Sequence, residues 1–241
     1  MKRRNHAVYF LGLLSYVVSL VPFTELRPLS AAIALAMSLY VFPVLDYLQP
    51  KFATWKLGAR DVAVSVASGL PYAVAMILSP SLIYAVPALL LGATLLLHYR
   101  RKAMWGNVVG TAFVASLSFV WSAVAGNPFV LADAYWTAYA FFGAVYVEYK
   151  LPFRQLSLRT LRVAAVTVAL LLAVASYGHP LLIASLAEPL FRAVKPGGKL
   201  GSAKEIKALG RKGAWRDVAF VVVLSALCVA SELSKRSTAF P

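Results

Sequence analysis

Few polar side chains stand within or at the rim of the long apolar stretches of this chain. Ionisable groups are costly to place in such stretches, so each one is a candidate functional residue. The residues in these positions are Asp46, Asp133, Glu148, Glu188 and Arg192, together with the amide of Asn107 and the imidazole of His98.

Two of the acids, Asp46 and Glu148, are each expected at the cytoplasmic end of a helix. In a compact helical bundle they could converge on one pocket beside the basic loops. Such a pocket would suit a diphosphate held by a metal ion and by Arg or Lys side chains. The alternative is a pair of solvated carboxylates at helix ends that face neighbouring lysines.

Glu188 and Arg192 are four residues apart, so on a helix they share one face. Two interpretations of this pair stay open. The two side chains neutralise each other and so let a short helix insert, or they line a ligand cavity, as charges in membrane proteins often do.

The other chemistry-bearing residues predict no centre built from nitrogen or sulfur ligands. His98 has no second His or Cys at metal-binding spacing, and Cys228, alone in an apolar helix, is expected to act as a small hydrophobe. The PGGKLGS stretch at 196–202 lacks the Lys-Ser/Thr pair and the preceding strand of a phosphate loop. We expect a flexible turn there, followed by a basic amphipathic segment at 204–212 on the membrane surface.

The elements that must position these residues are transmembrane helices. Of the 241 residues, 61% are hydrophobic and 14% are charged, and the mean hydropathy is +0.74. These values exclude a disordered chain, and the single cysteine excludes a disulfide-stapled module. A hydrocarbon core of about 30 Å needs about 20 apolar residues in a helix. Nine stretches approach that length, at 7–23, 29–48, 62–79, 82–97, 107–125, 129–147, 160–177, 180–195 and 216–232.

These stretches predict an all-α polytopic bundle that forms one integral membrane domain, residues 1–241. They do not show the apolar and polar alternation of membrane β-strands. Pro43, Pro71 and Pro87 fall inside spans and are expected to kink the helices rather than end them. The eighth stretch is short and charged, so we expect it to be tilted, kinked or half-inserted.

The basic residues are distributed unevenly between alternate connections. The formal net charge is +15, from 24 Lys and Arg against 9 Asp and Glu. Numbering the connections alternately puts 21 basic residues on one side and only Arg27, Lys235 and Arg236 on the other. The positive-inside rule then predicts a cytoplasmic N-terminus and an external C-terminus. Because this sidedness explains the basic clusters as loops that contact anionic lipid head groups, we expect no nucleic-acid partner.

Along nearly its whole length the chain resembles the YwiC-like family of bacterial and archaeal membrane proteins. Three segments show the resemblance: RRNHAVYFLG at the start, RRKAMWGNVVGTAFVASLSF at 100–119, and LFRAVKPGGKLGSAKEIKALGRKGAWRDVAFVV at 190–222. The resemblance implies a multi-pass protein of a prokaryotic cytoplasmic membrane, and it marks Arg101, Asn107 and Arg192 as positions of the family pattern. The family opens on a His-Gly-Ala-Trp type motif, of which His6 is present here while the Gly and the Trp are missing.

By its size and nine-helix plan, the YwiC-like family in turn resembles the UbiA prenyltransferase superfamily. That resemblance implies an N-inside bundle with a cytoplasmic pocket, where two aspartate-rich motifs hold a prenyl diphosphate through Mg²⁺. This chain has one acid at each motif position, Asp46 and Glu148, and no second acid within four residues of either. Because a hard cation takes several oxygen ligands, the enzymes' diphosphate cage cannot be built in the same way. Either Lys and Arg replace the metal or the transferase activity is lost.

Three functions are consistent with the sequence. The first is binding of an isoprenoid or other amphipathic lipid in a cytoplasm-facing cavity, with degenerate prenyl transfer through Mg²⁺ as an extension. The second is transport of a small solute, which the Glu188 and Arg192 pair favours and the lack of an inverted repeat disfavours. The third is a non-catalytic membrane subunit, suggested by the scarcity of polar groups. For the first function, the candidate ligand-binding residues are Asp46, Arg101, Asn107, Glu148, Glu188 and Arg192.

Overall fold

The computed structural model describes residues 6–24, 26–78 and 80–238, with side chains as far as residue 235. Over these ranges the chain is helical and has no strand, which confirms the all-α prediction. The helices fall in two compact units, Met1–Asp133 and Ala134–Pro241. Lys2, Arg3 and Arg4, which count among the 21 basic residues on the predicted cytoplasmic side, and the side chain of Arg236 lie outside the described residues.

The first unit contains five α-helices. Pro43 and Pro50 lie inside the second of them and Pro71 inside the third, and none of these prolines ends its helix. This agrees with the prediction for Pro43 and Pro71. Pro87 lies in the first turn of the fourth helix, where its missing N–H removes no helical hydrogen bond. The helices are α1 (His6–Ser19), α2 (Pro28–Thr54), α3 (Ala59–Leu78), α4 (Ala85–Tyr99, after a 3₁₀ turn at Leu82–Tyr84) and α5 (Ala103–Ala125).

Helix α5 is the most buried helix of the first unit and packs against α1, α2 and α4. Its Trp121 is fully buried, and the Phe42 ring of α2 meets it edge-on at a centroid distance of 6.0 Å. The indole N–H donates to the Tyr72 hydroxyl at 3.3 Å, so its polar group is satisfied inside the core.

A close approach between α1 and α2 depends on Gly12. A Cβ at this position would lie 2.0 Å from the Cε1 atom of Phe42, a separation that no real side chain tolerates. The Phe42 ring is also held from the α1 side by the Tyr9 ring at 6.1 Å. The absence of a side chain at residue 12 therefore sets the distance between these two helices.

The second unit contains the rest of the helical chain. Its α6 covers Leu131–Lys150, of which the first three residues belong to the first unit. The eighth predicted span is broken: a 3₁₀ segment at Pro180–Leu186 leads into a short helix, which fits the expectation of an irregular element. The remaining helices are α7 (Leu158–Ala175), α8 (Ala187–Val194) and α9 (Ala203–Thr238).

Helix α9 begins with a reciprocal capping box. The Glu205 N–H donates to Ser202 Oγ at 3.3 Å, and the Ser202 N–H donates to Glu205 Oε2 at 3.1 Å. The helix then runs for 36 residues without a break, which corresponds to about 54 Å. Residues 204–212, predicted as a separate segment on the membrane surface, are therefore the first turns of α9. They are continuous with the predicted span at 216–232, because Gly210 and Gly213 are too weak as breakers to end the helix. Their location on the membrane surface stays a prediction.

Six helical segments are long and apolar enough to cross a membrane: α2, α3, Leu82–Tyr99, α5, α7 and Ala203–Lys235. Helix α1 is apolar but shorter. With α6 and α8, the described part of the chain has nine α-helices that correspond in order to the nine predicted stretches. The structure is consistent with a multi-pass membrane protein, whereas the sidedness of its loops stays a prediction.

Candidate functional site

Arg192 is the central residue of a buried cluster in the second unit. It lies on α8, is 7% exposed, and its guanidinium carbon is 5.2 Å from the centre of each of three rings of α6. These rings belong to Tyr139, Phe142 and Tyr146, spaced so that they form one stripe of the helix. A planar guanidinium suits such faces through cation–π attraction.

The same guanidinium pairs with Glu188, as the spacing of the two residues predicted. Arg192 Nη2 lies 2.8 Å from Glu188 Oε2, and Arg216 Nε of α9 lies 3.9 Å from the other carboxylate oxygen. Asp217 of α9 interacts electrostatically with this group as well. Arg192 Nε is buried and has no hydrogen-bond partner among the described residues. The cluster thus joins α8 to α9 through charged groups and α8 to α6 through the three aromatic rings.

Glu148 makes a separate ion pair. It is buried at the C-terminal end of α6, and Arg154 Nε lies 2.8 Å from its Oε2 atom. Burial raises the pKa of Glu148, and the positive charge of Arg154 opposes that shift. The partner of this acid is therefore an arginine six residues later in the chain, beyond the helix end.

The glycine-containing loop at 196–202 is held by a buried lysine. Lys150 Nζ donates to the carbonyl oxygens of Pro196 at 2.8 Å and of Gly198 at 2.6 Å. The Leu200 N–H donates back to the Lys150 carbonyl at 2.9 Å. A phosphate loop presents N–H groups to its ligand, whereas this loop directs carbonyl oxygens at an ammonium group, so its polarity is wrong for a phosphate. This agrees with the expectation of a turn.

An open apolar groove of about 400 Å³ lies between α7 and the segment formed by the 3₁₀ turn and α8. Its volume is in the range of about 300–1,000 Å³ that is typical of ligand pockets. On both sides the lining residues recur at i, i+3, i+4 and i+7, as expected for the facing stripes of two helices. The groove is lined by Val166, Ala169, Leu170, Ala173, Ile183, Leu186, Ala187 and Leu190.

One end of this groove is basic. Arg162 lies one turn before Val166, and its Nε atom donates to the Ala193 carbonyl at 3.5 Å. Lys195, two residues after Ala193 in the chain, is exposed. Between residues 148 and 217 the chain has twelve Lys and Arg against four Asp and Glu. Helix α8 thus places Ala187 and Leu190 in the groove, whereas its Arg192 contacts α6 and its Glu188 faces α9.

The other predicted site residues belong to the first unit. Asp46 is half-buried on α2. Arg101 is exposed in the turn between α4 and α5, where its φ of 58° is left-handed, and Asn107 is exposed in the early part of α5. The structure thus brings Glu188 and Arg192 together. It divides the predicted set between two units, and the convergence of Asp46 with Glu148 stays a prediction.

Several residues of the candidate site were not predicted from the sequence. Tyr139, Phe142 and Tyr146 could have been recognised as an aromatic stripe, because their spacing of i, i+3 and i+7 is visible in the sequence. Asp217 and Arg216 gave no such signal, since adjacent opposite charges are common on exposed helix faces.

In the first unit, buried Asp61 accepts from the Tyr47 hydroxyl at 2.7 Å and pairs with Lys51, which joins α2 to α3.

The donor set does not fit the Mg²⁺ centre that the UbiA resemblance implies. Among the described residues no group of three or more His, Cys, Asp or Glu could hold a metal ion. Glu148 is paired with Arg154, and Asp46 lies on a helix of the other unit. Because a hard cation requires several oxygen ligands, we derive no catalytic step through Mg²⁺.

Comparisons with family models, with curated proteins and with solved structures give no match to this chain.

Proposed function

We propose that the chain is a multi-pass membrane protein that binds an amphipathic lipid with an anionic head group, of which a polyprenyl phosphate is one example. The observation that carries the proposal is the wholly apolar groove between α7 and α8, which has a basic end at Arg162 and Lys195. A hydrocarbon chain matches the lining, and an anionic head group matches the cations at the end.

The charged cluster has a positioning role in this proposal. Arg192 and Glu188 face α6 and α9 rather than the groove, so they hold α8 in place as the second wall. The three aromatic rings fix the guanidinium on the opposite side. The local excess of basic residues attracts a phosphate-bearing lipid to the end of the groove, in the same way that cytoplasmic basic loops attract anionic lipids.

The resemblance to the YwiC-like family and, through it, to the UbiA superfamily is part of the same proposal. It suggests the isoprenoid as a candidate tail and implies a head group on the cytoplasmic side. The proposal is for binding alone, because the described acids do not form the paired carboxylate motifs that the transferases use.

The test is a direct binding measurement with the purified protein in detergent. A fluorescent polyprenyl phosphate is titrated against the wild type and against Ala169→Trp, which fills the groove. Leu171→Trp is the matched control, because residue 171 is on α7 but lies off the groove and is 66% exposed. We expect Ala169→Trp to weaken binding at least about 10-fold, as loss of the hydrocarbon contact requires, and Leu171→Trp to leave it unchanged.

The head-group contribution is measured separately. Arg162→Gln should weaken binding of the polyprenyl phosphate and leave binding of the uncharged polyprenol unchanged. Equal binding of phosphate and alcohol to the wild type contradicts an anionic head-group site. Equal loss in Ala169→Trp and Leu171→Trp contradicts the groove.

A second candidate function, small-solute transport, is favoured by the buried charge of Arg192 within a helical unit. It predicts that uptake into proteoliposomes depends on Glu188, the ion-pair partner of Arg192. Uptake that is the same in Glu188→Gln and in the wild type contradicts transport through this pair.

A further inference from the structure

A buried oxygen cluster lies at the end of α5 in the first unit. Asp133 of the first turn of α6 is fully buried, and the hydroxyl groups of Ser118 and Ser122 of α5 face its carboxyl group. Both serines are fully buried as well. None of the residues in this cluster was part of the candidate lipid site.

The polar atoms of this cluster are poorly satisfied. Neither carboxylate oxygen of Asp133 has a hydrogen bond of ordinary geometry to a described residue, and the same holds for Ser118 Oγ. No Lys or Arg of the described chain forms an ion pair with Asp133 either. A buried ionised carboxylate without a partner is strongly unfavourable, so this site needs a further positive species or a proton.

The surroundings favour a positive species. Ser122 lies in the last turn of α5, where the helix dipole is negative, and its own carbonyl oxygen accepts from the Asn127 N–H at 2.9 Å. That turn carries no basic residue whose charge would offset the negative end of the helix dipole. The ends of helices that meet inside membrane proteins supply cation sites of this kind.

We propose that Asp133, Ser118 and Ser122 form a binding site for a small monovalent cation of the size of Na⁺. The donors are one carboxylate and two hydroxyl groups, all of them hard oxygen ligands. A single carboxylate balances one positive charge, so a monovalent ion leaves the buried site neutral. A divalent ion would leave a net positive charge in the buried site.

The test uses the purified full-length protein in detergent at constant ionic strength. Thermal unfolding is followed in NaCl, KCl and choline chloride, and binding of ²²Na⁺ is measured in parallel. Because a ligand that binds only the folded state raises the unfolding midpoint, NaCl should raise it saturably and more than the other two salts. Asp133→Asn should abolish both the midpoint shift and the ²²Na⁺ binding.

A matched pair of serine variants separates the site from general effects on α5. Ser118→Ala should weaken Na⁺ binding at least about 10-fold, as loss of a metal-site ligand or support does. Ser116→Ala should leave it unchanged, because Ser116 is equally buried on the same helix but already donates to the Phe113 carbonyl at 2.8 Å.

The proposal fails if the wild type unfolds at the same midpoint in all three salts and binds no ²²Na⁺. In that case the carboxyl group is protonated, and Asp133→Asn should be as stable as the wild type. It also fails if Ser116→Ala and Ser118→Ala weaken Na⁺ binding equally. If Asp133→Asn does not fold, the wild type and the serine pair still decide the question.

Discussion

At the scale of single residues, the buried guanidinium of Arg192 shows why arginine and lysine differ. Its flat group lies against three aromatic rings and an acid at the same time. An ammonium group is a compact, strongly hydrated charge, so it has no flat face to stack on the rings and loses more hydration when it is buried against them.

We therefore predict that Arg192→Lys lowers the free energy of unfolding by about 1–2 kcal/mol, the value of cation–π contacts that are removed from water. The measurement is unfolding of the purified protein by heat or by SDS in mixed micelles. Arg216→Lys is the control, because Arg216 faces the same acid at 3.9 Å and is more exposed. A loss of the same size in both variants would show that the aromatic rings contribute nothing.

His179 lies between α7 and the 3₁₀ segment, and its contacts fix its protonation state. Lys235 Nζ lies 2.8 Å from the Nε2 atom of the ring and can only donate, so Nε2 accepts. The other ring nitrogen, at 2.8 Å from Ser231 Oγ, then carries the proton and donates. The ring is neutral in this arrangement.

We predict that this neutral ring makes stability depend on pH. Burial and then the charge of Lys235 lower the pKa of His179 from 6.5, while Glu232 opposes them. Because the unfolded chain binds the proton more readily, this contribution to stability is complete above about pH 6.5 and is lost as the pH falls below it. Unfolding midpoints measured between about pH 7.5 and about pH 5 should therefore fall more steeply in the wild type than in His179→Gln. Parallel pH profiles for the two proteins would rule this contribution out.

At the scale of helices, the contact between α1 and α2 is determined by one missing side chain. The space in front of Gly12 is taken by the Phe42 ring, which the rings of Tyr9 and Trp121 hold in place. A methyl group can be accommodated only if this ring or the whole of α1 moves.

Gly12→Ala should lower the free energy of unfolding by about 1–3 kcal/mol, the usual cost of overpacking a core. Gly69→Ala is the control, because a Cβ at residue 69 of α3 meets no atom within 4 Å. That control should be neutral or slightly stabilising, since alanine favours helix over glycine. A thermal unfolding series of the three proteins checks the difference, and equal midpoints for both variants would contradict the packing argument.

Hydrophobicity predicted the helices well and their ends less well. The length of apolar stretches gave the number and order of the helices, because burial in a membrane selects for that length directly. The continuation of α9 into 204–212 was missed because those residues are charged, although the capping box Ser202 and Glu205 marks the true start.

Of the candidate site, the pair Glu188 and Arg192 followed from helical spacing. The neighbours Asp217 and Arg216 depend on tertiary packing, which no local pattern encodes.

At the scale of the whole molecule, the distribution of basic residues leads to a testable orientation. The loop at 195–202 is predicted to face the cytoplasm, and the turn at 176–179 the exterior. Each contains a glycine that has room for a side chain. A Cβ at Gly198 would meet no atom within 4 Å, and a Cβ at Gly178 would lie 3.7 Å from Lys235 Nζ. Cys228, the single native cysteine, is fully buried and gives little background labelling.

Labelling of intact cells with a membrane-impermeant maleimide should therefore modify Gly178→Cys and not Gly198→Cys. After the cells are opened, both variants should react. The reverse pattern in intact cells would invert the predicted orientation. Labelling of both positions would mean that the segment between them does not cross the membrane.

The unbroken α9 has a mechanical consequence. It contains no proline, and the capping box at its start and the Ser231 contact to His179 are separated by about 40 Å of continuous helix. Because no proline interrupts α9, we expect a displacement of its basic N-terminal end to be transmitted along the helix to the contact between Ser231 and His179. Two spin labels, one at each end of α9, should therefore change their orientations together when a charged surface binds the basic N-terminal end.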